Sequence, residues 1–89
     1  MHEDEIIARI RGLYPDAVIE VAGERCSFEV YVVTPAFAGM KTLERQRGIL
    51  DLFKTEIATG KLHALGIKAK TPEEMQQVQR NPVGAEINL

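Results

Sequence analysis

Two side chains with ligand chemistry stand out in the sequence, Cys26 and His63. They are the single cysteine and the one histidine outside the first two residues. A thiol beside an imidazole can act as nucleophile and base, but such a pair needs an orienting third group that the sequence does not supply. The same two groups can bind metal, although a stable zinc site normally takes four ligands. They could then be half of a site that another molecule completes, and iron–sulfur clusters accept both thiolate and imidazole.

Residue chemistry alone favours simpler interpretations, with His63 as a histidine at a strand edge and Cys26 as an incidental loop thiol. The sequence contains no P-loop, no G-x-S-x-G and no H-E-x-x-H motif, and Ser27 is its only serine. We therefore predict that the protein is not an enzyme.

The second chemistry is phosphate binding by basic side chains. Net charge is −2, but residues 35–70 carry seven basic and three acidic side chains, which gives this segment +4. Several cations on one face would be needed to bind nucleic acid. The candidates are Arg45, Arg47, Lys54, Lys68 and Lys70. A solvated mixed surface is the simpler interpretation, because the sequence has neither an RNP-like aromatic pair nor a G-x-x-G clamp.

The elements that position Cys26 are predicted to be a helix and a hairpin. Apolar residues at helical spacing indicate an amphipathic helix over residues 4–13, capped by Asp4. Short β-branched and alternating runs then predict strands over 17–21 and 27–33. The connection over 22–26 holds Gly23 and Cys26, and we expect a loop longer than the two-residue minimum.

A long helix is predicted from about Thr42 to Thr59, ended by Gly60. Before it, Thr34 can cap a short helical turn. The predicted apolar stripe consists of Leu50, Phe53 and Ile57, flanked by Leu43 and Ile49. Gln46 falls within this stripe, so its amide needs a polar partner or a solvent-open edge. Arg45, Asp51 and Lys54 are expected to point away from the stripe.

The last two elements follow His63. Residues 63–70 predict a strand in which His63 shares a face with Leu65, Ile67 and Ala69, while Lys68 and Lys70 lie on the other. Thr71, Pro72 and Glu74 predict a capping box that opens a helix ending near Gln79. The order α-β-β-α-β-α indicates an α+β fold with helices on one face of a three-stranded mixed sheet. The hairpin should be antiparallel, and the third strand parallel to the second.

Length and composition agree with one small globular domain. The chain has 89 residues, of which 45% are hydrophobic. No apolar run is long enough to cross a membrane, and the acidic N-terminus does not resemble a signal peptide. We expect a domain over residues 1–79, a flexible tail over 80–89, and a cytoplasmic protein without membrane contact.

The sequence resembles the BolA family in two segments, FAGMKTLERQRGIL and LHALGIKAKTPEE. Within that family, the resemblance favours the IbaG-like bacterial branch. The resemblance covers most of the chain, from residue 5 to about residue 78. The positions that match in order are Phe37, Gly39, Met40, Arg45, Arg47, His63, Ala64, Leu65, Thr71, Pro72 and Glu73. It implies a KH-like (class II) fold, which agrees with the predicted element order.

The resemblance also implies a partner and a cofactor. The partner is a monothiol, CGFS-type glutaredoxin, and the two proteins share a bridging [2Fe–2S] cluster with glutathione on the glutaredoxin side. His63 matches the family's histidine ligand, and Cys26 is the candidate for the second ligand in the hairpin loop. No cofactor is expected in the isolated chain, which would be a monomer or a weak homodimer.

One position departs from the family pattern, because Gln46 stands where the family has the middle histidine of an R-H-R motif. Any ligand role of that histidine is absent here, and Gln46 is expected to be a structural replacement. The resemblance also links the chain to stress response and DNA binding, so transcriptional regulation is the alternative function. A third alternative is an interaction module that binds glutaredoxin without metal.

Overall fold

The computed structural model describes residues 1–80, and the predicted order of helices and strands is confirmed, except that the long helix is divided. The elements are α1 (Glu3–Leu13), β1 (Val18–Glu24), β2 (Ser27–Val33), a 3₁₀ turn (Pro35–Phe37), α2 (Thr42–Leu50), a second 3₁₀ turn (Asp51–Phe53), α3 (Lys54–Thr59), β3 (Ala64–Lys70) and α4 (Pro72–Arg80). The predicted tail over 80–89 lies, from residue 81 onward, outside the described residues. No helix within residues 1–80 is long and apolar enough to span a membrane.

The sheet has the strand order β1-β2-β3. As predicted, β1 pairs antiparallel with β2, and β2 pairs parallel with β3. A parallel pair requires a crossover connection, which α2, the second 3₁₀ turn and α3 provide. The sheet therefore brings the first residues of β2 and β3 to the same end.

Alternation along β2 decides which face of the sheet the helices cover. Phe28, Val30 and Val32 are buried, as are Ile67 and Ala69 on β3. The remaining core consists of Ile6, Ile10, Ala17, Phe37, Ile49, Phe53 and Leu62. Alternation directs Tyr31, Lys68 and Lys70 to the opposite face of the sheet, where all three are exposed.

The hairpin corrects one prediction. Because β1 extends to Glu24 and β2 begins at Ser27, the connection is a two-residue turn formed by Arg25 and Cys26. Gly23 makes this tight turn possible. Its φ is +110°, and a Cβ at this position would collide with the backbone oxygen of Ser27.

The long helix differs from its prediction because a 3₁₀ turn interrupts it at Asp51–Phe53. A 3₁₀ turn has three residues per turn instead of 3.6, which shifts the buried face. Phe53 is buried as predicted, but Ile57 is 41% exposed, and Ile49 is fully buried. The expectation that Ile57 belongs to the core stripe is therefore wrong.

Helix ends follow the predicted chemistry with one exception. The capping box at α4 is confirmed, since the Glu74 N–H donates to Thr71 Oγ1 (3.2 Å) and the Thr71 N–H donates to Glu74 Oε1 (3.0 Å). Gly60 ends α3 with φ +82°, also as predicted. The exception is α1, which begins at Glu3 with His2 as its N-cap instead of Asp4.

Two ion pairs join helices that are distant in sequence. Arg9 of α1 donates two hydrogen bonds of 2.7 Å to Glu56 of α3. Arg45 of α2 likewise pairs with Glu74 of α4, at 2.7 and 3.1 Å. The hydrogen bonds from the arginines lower the pKa of both glutamates to about 2.

These lowered pKa values predict an acid-sensitive fold. A carboxylate with a depressed native pKa stabilises the folded state above its ordinary pKa of 4.5 and loses that effect as the pH falls toward 2. We expect the free energy of unfolding, measured by urea titration, to be level near neutral pH and to fall below about pH 5. Glu74→Gln and Glu56→Gln should each flatten part of this slope, because each removes one of the two shifted carboxylates. An equal slope in all three proteins would contradict the prediction.

Candidate functional site

The parallel pairing of β2 with β3 places Cys26 beside His63. Ser27 is aligned with Ala64 at the start of the two strands, and one residue further out are Cys26 and His63. The carbonyl oxygen of Cys26 accepts hydrogen bonds from the N–H groups of His63 (2.6 Å) and Ala64 (3.2 Å). The two predicted ligands are therefore neighbours at one end of the sheet, although 37 positions separate them in the sequence.

Both side chains are accessible, and buried neighbours hold their backbones. Cys26 is partly exposed and forms no disulfide, and His63 is exposed. Leu62, immediately before His63, is fully buried, and Phe28, two residues after Cys26, is 7% exposed. Cys26 lies in the hairpin turn and His63 directly precedes β3, so both stand at the end of the sheet and outside its strands. Neighbouring strands lie about 4.8 Å apart, a spacing that allows a thiolate and an imidazole on adjacent segments to bind the same metal centre.

Arg25 contributes to the site through its backbone, which no local sequence pattern indicates. It is the one described non-glycine residue with positive φ, +63°, and it directly precedes Cys26. A side chain held in this region costs of order 1–3 kcal/mol, and such residues cluster at functional sites. The left-handed conformation of Arg25 closes the tight turn and so sets the position of Cys26 relative to β3.

The donor set is suited to a shared metal site. Within the described residues, no group of three or more His, Cys, Asp or Glu side chains is arranged to hold a metal ion. Cys26 and His63 supply one sulfur and one nitrogen, whereas a closed site normally takes four ligands. Iron–sulfur clusters bind both ligand types. The pair fits one half of a ligand set whose other half comes from elsewhere.

Arg45 is the clearest departure from the predicted phosphate-binding group. It was expected to point away from the core, but it is 5% exposed. Its guanidinium pairs with Glu74 and also donates to the carbonyl oxygens of Phe37 (3.0 Å), Met40 (3.1 Å) and Ala69 (3.0 Å). All of these hydrogen bonds join the guanidinium to other groups of this chain, so Arg45 is not available to a phosphate.

The other basic candidates are divided between two sides of the molecule. Arg47 and Lys54 are exposed on α2 and α3, in the helical layer. Lys68 and Lys70 alternate with the buried Ile67 and Ala69, which directs the lysines to the opposite face of the sheet. At the edge of β3, Lys68 and Lys70 also border Thr42 and Gln46 of α2.

The structural role predicted for Gln46 is confirmed. Its Nε2 donates to the carbonyl oxygen of Ile67 at 3.2 Å. Ile67 belongs to β3, which is an edge strand, so this hydrogen bond satisfies an outward-facing carbonyl. Gln46 joins α2 to the strand that follows His63.

Comparison with known proteins identifies the family. The profile described as BolA-like protein matches residues 14–74, well over half of the chain. The chain belongs to the BolA family. Its BolA-family relatives include the acid stress protein IbaG of Escherichia coli K12, which is 30% identical over 74 residues, covering 83% of this chain and 88% of IbaG. The match to IbaG agrees with the predicted placement of the chain in the IbaG-like bacterial branch.

Other relatives and solved structures extend the comparison. An uncharacterized protein of the rpoN-murA intergenic region in Acinetobacter guillouiae is 29% identical, covering 86% of this chain and 93% of the relative. The match to mouse BolA-like protein 1 covers only 40% of that protein. Among solved structures, mouse BolA1 superposes with a TM-score of 0.71 at 29% identity, covering 98% of this chain and 78% of that one. The BolA domain of Arabidopsis thaliana SufE1 gives 0.69 at 34% identity, covering 80% and 92%.

Proposed function

We propose that this BolA-family chain is a non-enzymatic partner of a monothiol, CGFS-type glutaredoxin, with which it shares a bridging [2Fe–2S] cluster in iron–sulfur trafficking or iron regulation. The observation that carries the proposal is the hydrogen-bonded juxtaposition of Cys26 and His63 at one end of the sheet. Family membership supports the choice of partner, because the resemblance in the His63 segment implies it.

The ligand count explains why two proteins are needed. Cys26 and His63 would hold one side of the cluster, and the glutaredoxin cysteine with glutathione would hold the other. When bound, the cluster supplies redox-active iron whose potential depends on its ligands, and imidazole in place of thiolate raises it. The role of this chain is to present one thiolate and one imidazole at an accessible edge, oriented by the backbone of β2 and β3.

Assembly of the complex from purified components tests the proposal. The full chain would be mixed anaerobically with a CGFS glutaredoxin, glutathione, ferric iron and sulfide. We expect a one-to-one complex by light scattering, with visible absorption and circular dichroism that differ from those of the glutaredoxin treated alone. A spectrum that does not change when the chain is added would overturn the proposal.

Calorimetry separates cluster bridging from simple docking. The metal-free chain would be titrated with metal-free glutaredoxin, and the affinity compared with that of the cluster-loaded complex. We expect the loaded complex to be at least ten times tighter, which corresponds to about 1.4 kcal/mol. Equal affinities would favour the alternative of an interaction module that binds without metal.

A further inference from the structure

The face of the sheet opposite the helices has exposed apolar side chains. Val18 on β1 is 64% exposed, and Tyr31 at the centre of β2 is 36% exposed. Register places Val18, Val33 and Lys70 in one row across the three strands. An exposed apolar patch rimmed by charge is typical of an interaction surface.

A groove lies on this face over β2 and β3. It has a volume of about 200 Å³ and is lined by Tyr31, Val33, Lys68, Lys70 and Met75. Met75 comes from α4 and forms one wall, and the aliphatic stems of the lysines add to the apolar lining. The groove can receive a side chain the size of valine or leucine.

Charge on this open face is divided by strand. Glu20 and Glu24 lie on β1, whereas Lys68 and Lys70 lie on β3. Glu20 and Lys68 share one row, with Tyr31 between them. Among the side chains described through residue 76, neither Glu20 nor Lys68 belongs to an ion pair. One edge of the face is acidic, and the other edge is basic.

We propose that the open face binds a second copy of this chain, through a twofold axis that runs along β2 between the two sheets. Rotation about this axis places β1 of one copy over β3 of its partner, while each residue keeps its row. Glu20 then faces the lysine at position 68 in the other copy, twice in the dimer. The exposed Val18 of each copy enters the groove of the other, beside Lys70 and Met75.

Charge complementarity selects this axis over the other in-plane twofold. An axis perpendicular to the strands would place β1 over β1 and β3 over β3, so that acidic edges and basic edges would face their own kind. An isologous contact must be self-complementary, which only the axis along β2 provides. Glu29 lies near this axis, but its side chain extends toward β3 and lies over Gly66. The Tyr31 hydroxyl donates to Glu29 at 2.6 Å and holds it there.

The size of the face predicts a weak dimer. Three strands about 4.8 Å apart and four outward positions along each give roughly 400 Å² per copy, about half of a standard interface. Cys26 and His63 lie before the first residues of β2 and β3, outside the strand rows that form this contact, so the contact leaves the candidate metal ligands uncovered. The dimer does not depend on the proposed glutaredoxin function.

Reciprocal charge reversal tests the dimer. Sedimentation equilibrium of the full metal-free chain, with reductant, from tens of micromolar to about 1 mM should show mass rising above the 9.9 kDa monomer. We expect Glu20→Lys and Lys68→Glu each to weaken association at least tenfold. The double variant should recover to within threefold of the original protein, because the charges are exchanged. Lys54→Glu, in the helical layer, is the matched control and should leave association unchanged.

The outcomes separate this contact from others. A chain that stays monomeric up to about 1 mM would overturn the proposal. So would association that the double variant fails to recover, or dilution-dependent amide shifts located on the helices instead of around Val18 and Tyr31. Circular dichroism of each variant would establish that its fold is retained.

Discussion

His63→Ala is expected to abolish the visible absorption and circular dichroism of the cluster-bridged complex. Alanine removes the imidazole and leaves Cys26 alone on this side of the cluster, and one ligand cannot complete the set. The backbone of His63 still donates to the Cys26 carbonyl, so the fold should be unaffected. Anaerobic reconstitution with the glutaredoxin, read by visible circular dichroism, measures the effect.

The chain offers its own control for this substitution. His2 is the other histidine, it lies at the start of α1, and His2→Ala should leave the complex spectrum unchanged. Cys26→Ser should weaken the spectrum or shift its bands, because a hydroxyl is a poorer ligand for iron than a thiolate. If the complex keeps its spectrum when both Cys26 and His63 are replaced, the ligand assignment fails.

Arg45→Leu is expected to lower the free energy of unfolding by about 3 kcal/mol, a large share of the stability of a domain this small. The guanidinium donates to three backbone carbonyls and to Glu74, and its carbon lies 5.4 Å from the centre of the Phe37 ring. Leucine removes every donor and leaves part-buried oxygens without a partner, each costing about 1 kcal/mol or more. Urea denaturation at pH 7 measures the loss.

Arg47→Leu is the matched control for this prediction, because Arg47 lies on the same helix but is exposed. We expect that change to stay within about 0.5 kcal/mol of the original protein. Arg45→Lys should recover only part of the loss, since an ammonium cannot reproduce the planar set of donors. A loss for Arg45→Leu no greater than that for Arg47→Leu would show that the buried arginine does not hold α2, β3 and α4 together.

The sequence was most informative where one local pattern decides the structure. Alternation in β2 identified Phe28, Val30 and Val32 as its buried face, and the Thr71–Glu74 capping box located the start of α4. Both depend on neighbouring residues only, so both could be predicted. Gln46 was also interpretable, because an amide on a buried helix face requires a partner.

Other features depended on contacts between distant segments. No local signal indicates that Arg45 is buried, because its burial depends on Glu74, 29 positions later, and on the carbonyls of two other segments. The 3₁₀ turn at 51–53 shifted the helix face and left Ile57 exposed. The two-residue turn has no local signal, because Arg25, unlike glycine or asparagine, does not indicate a left-handed conformation.

The pairing of Cys26 with His63 has a consequence for the order in which the protein folds. The hairpin that carries Cys26 has local contacts and can form early, but parallel pairing with β3 must close a much longer loop. The two ligands therefore come together only when β3 docks, late in folding and after α2 and α3 have been synthesised. A partly folded chain presents a lone thiol and a lone imidazole, so under the proposed function the ability to accept a cluster would report that the sheet is complete.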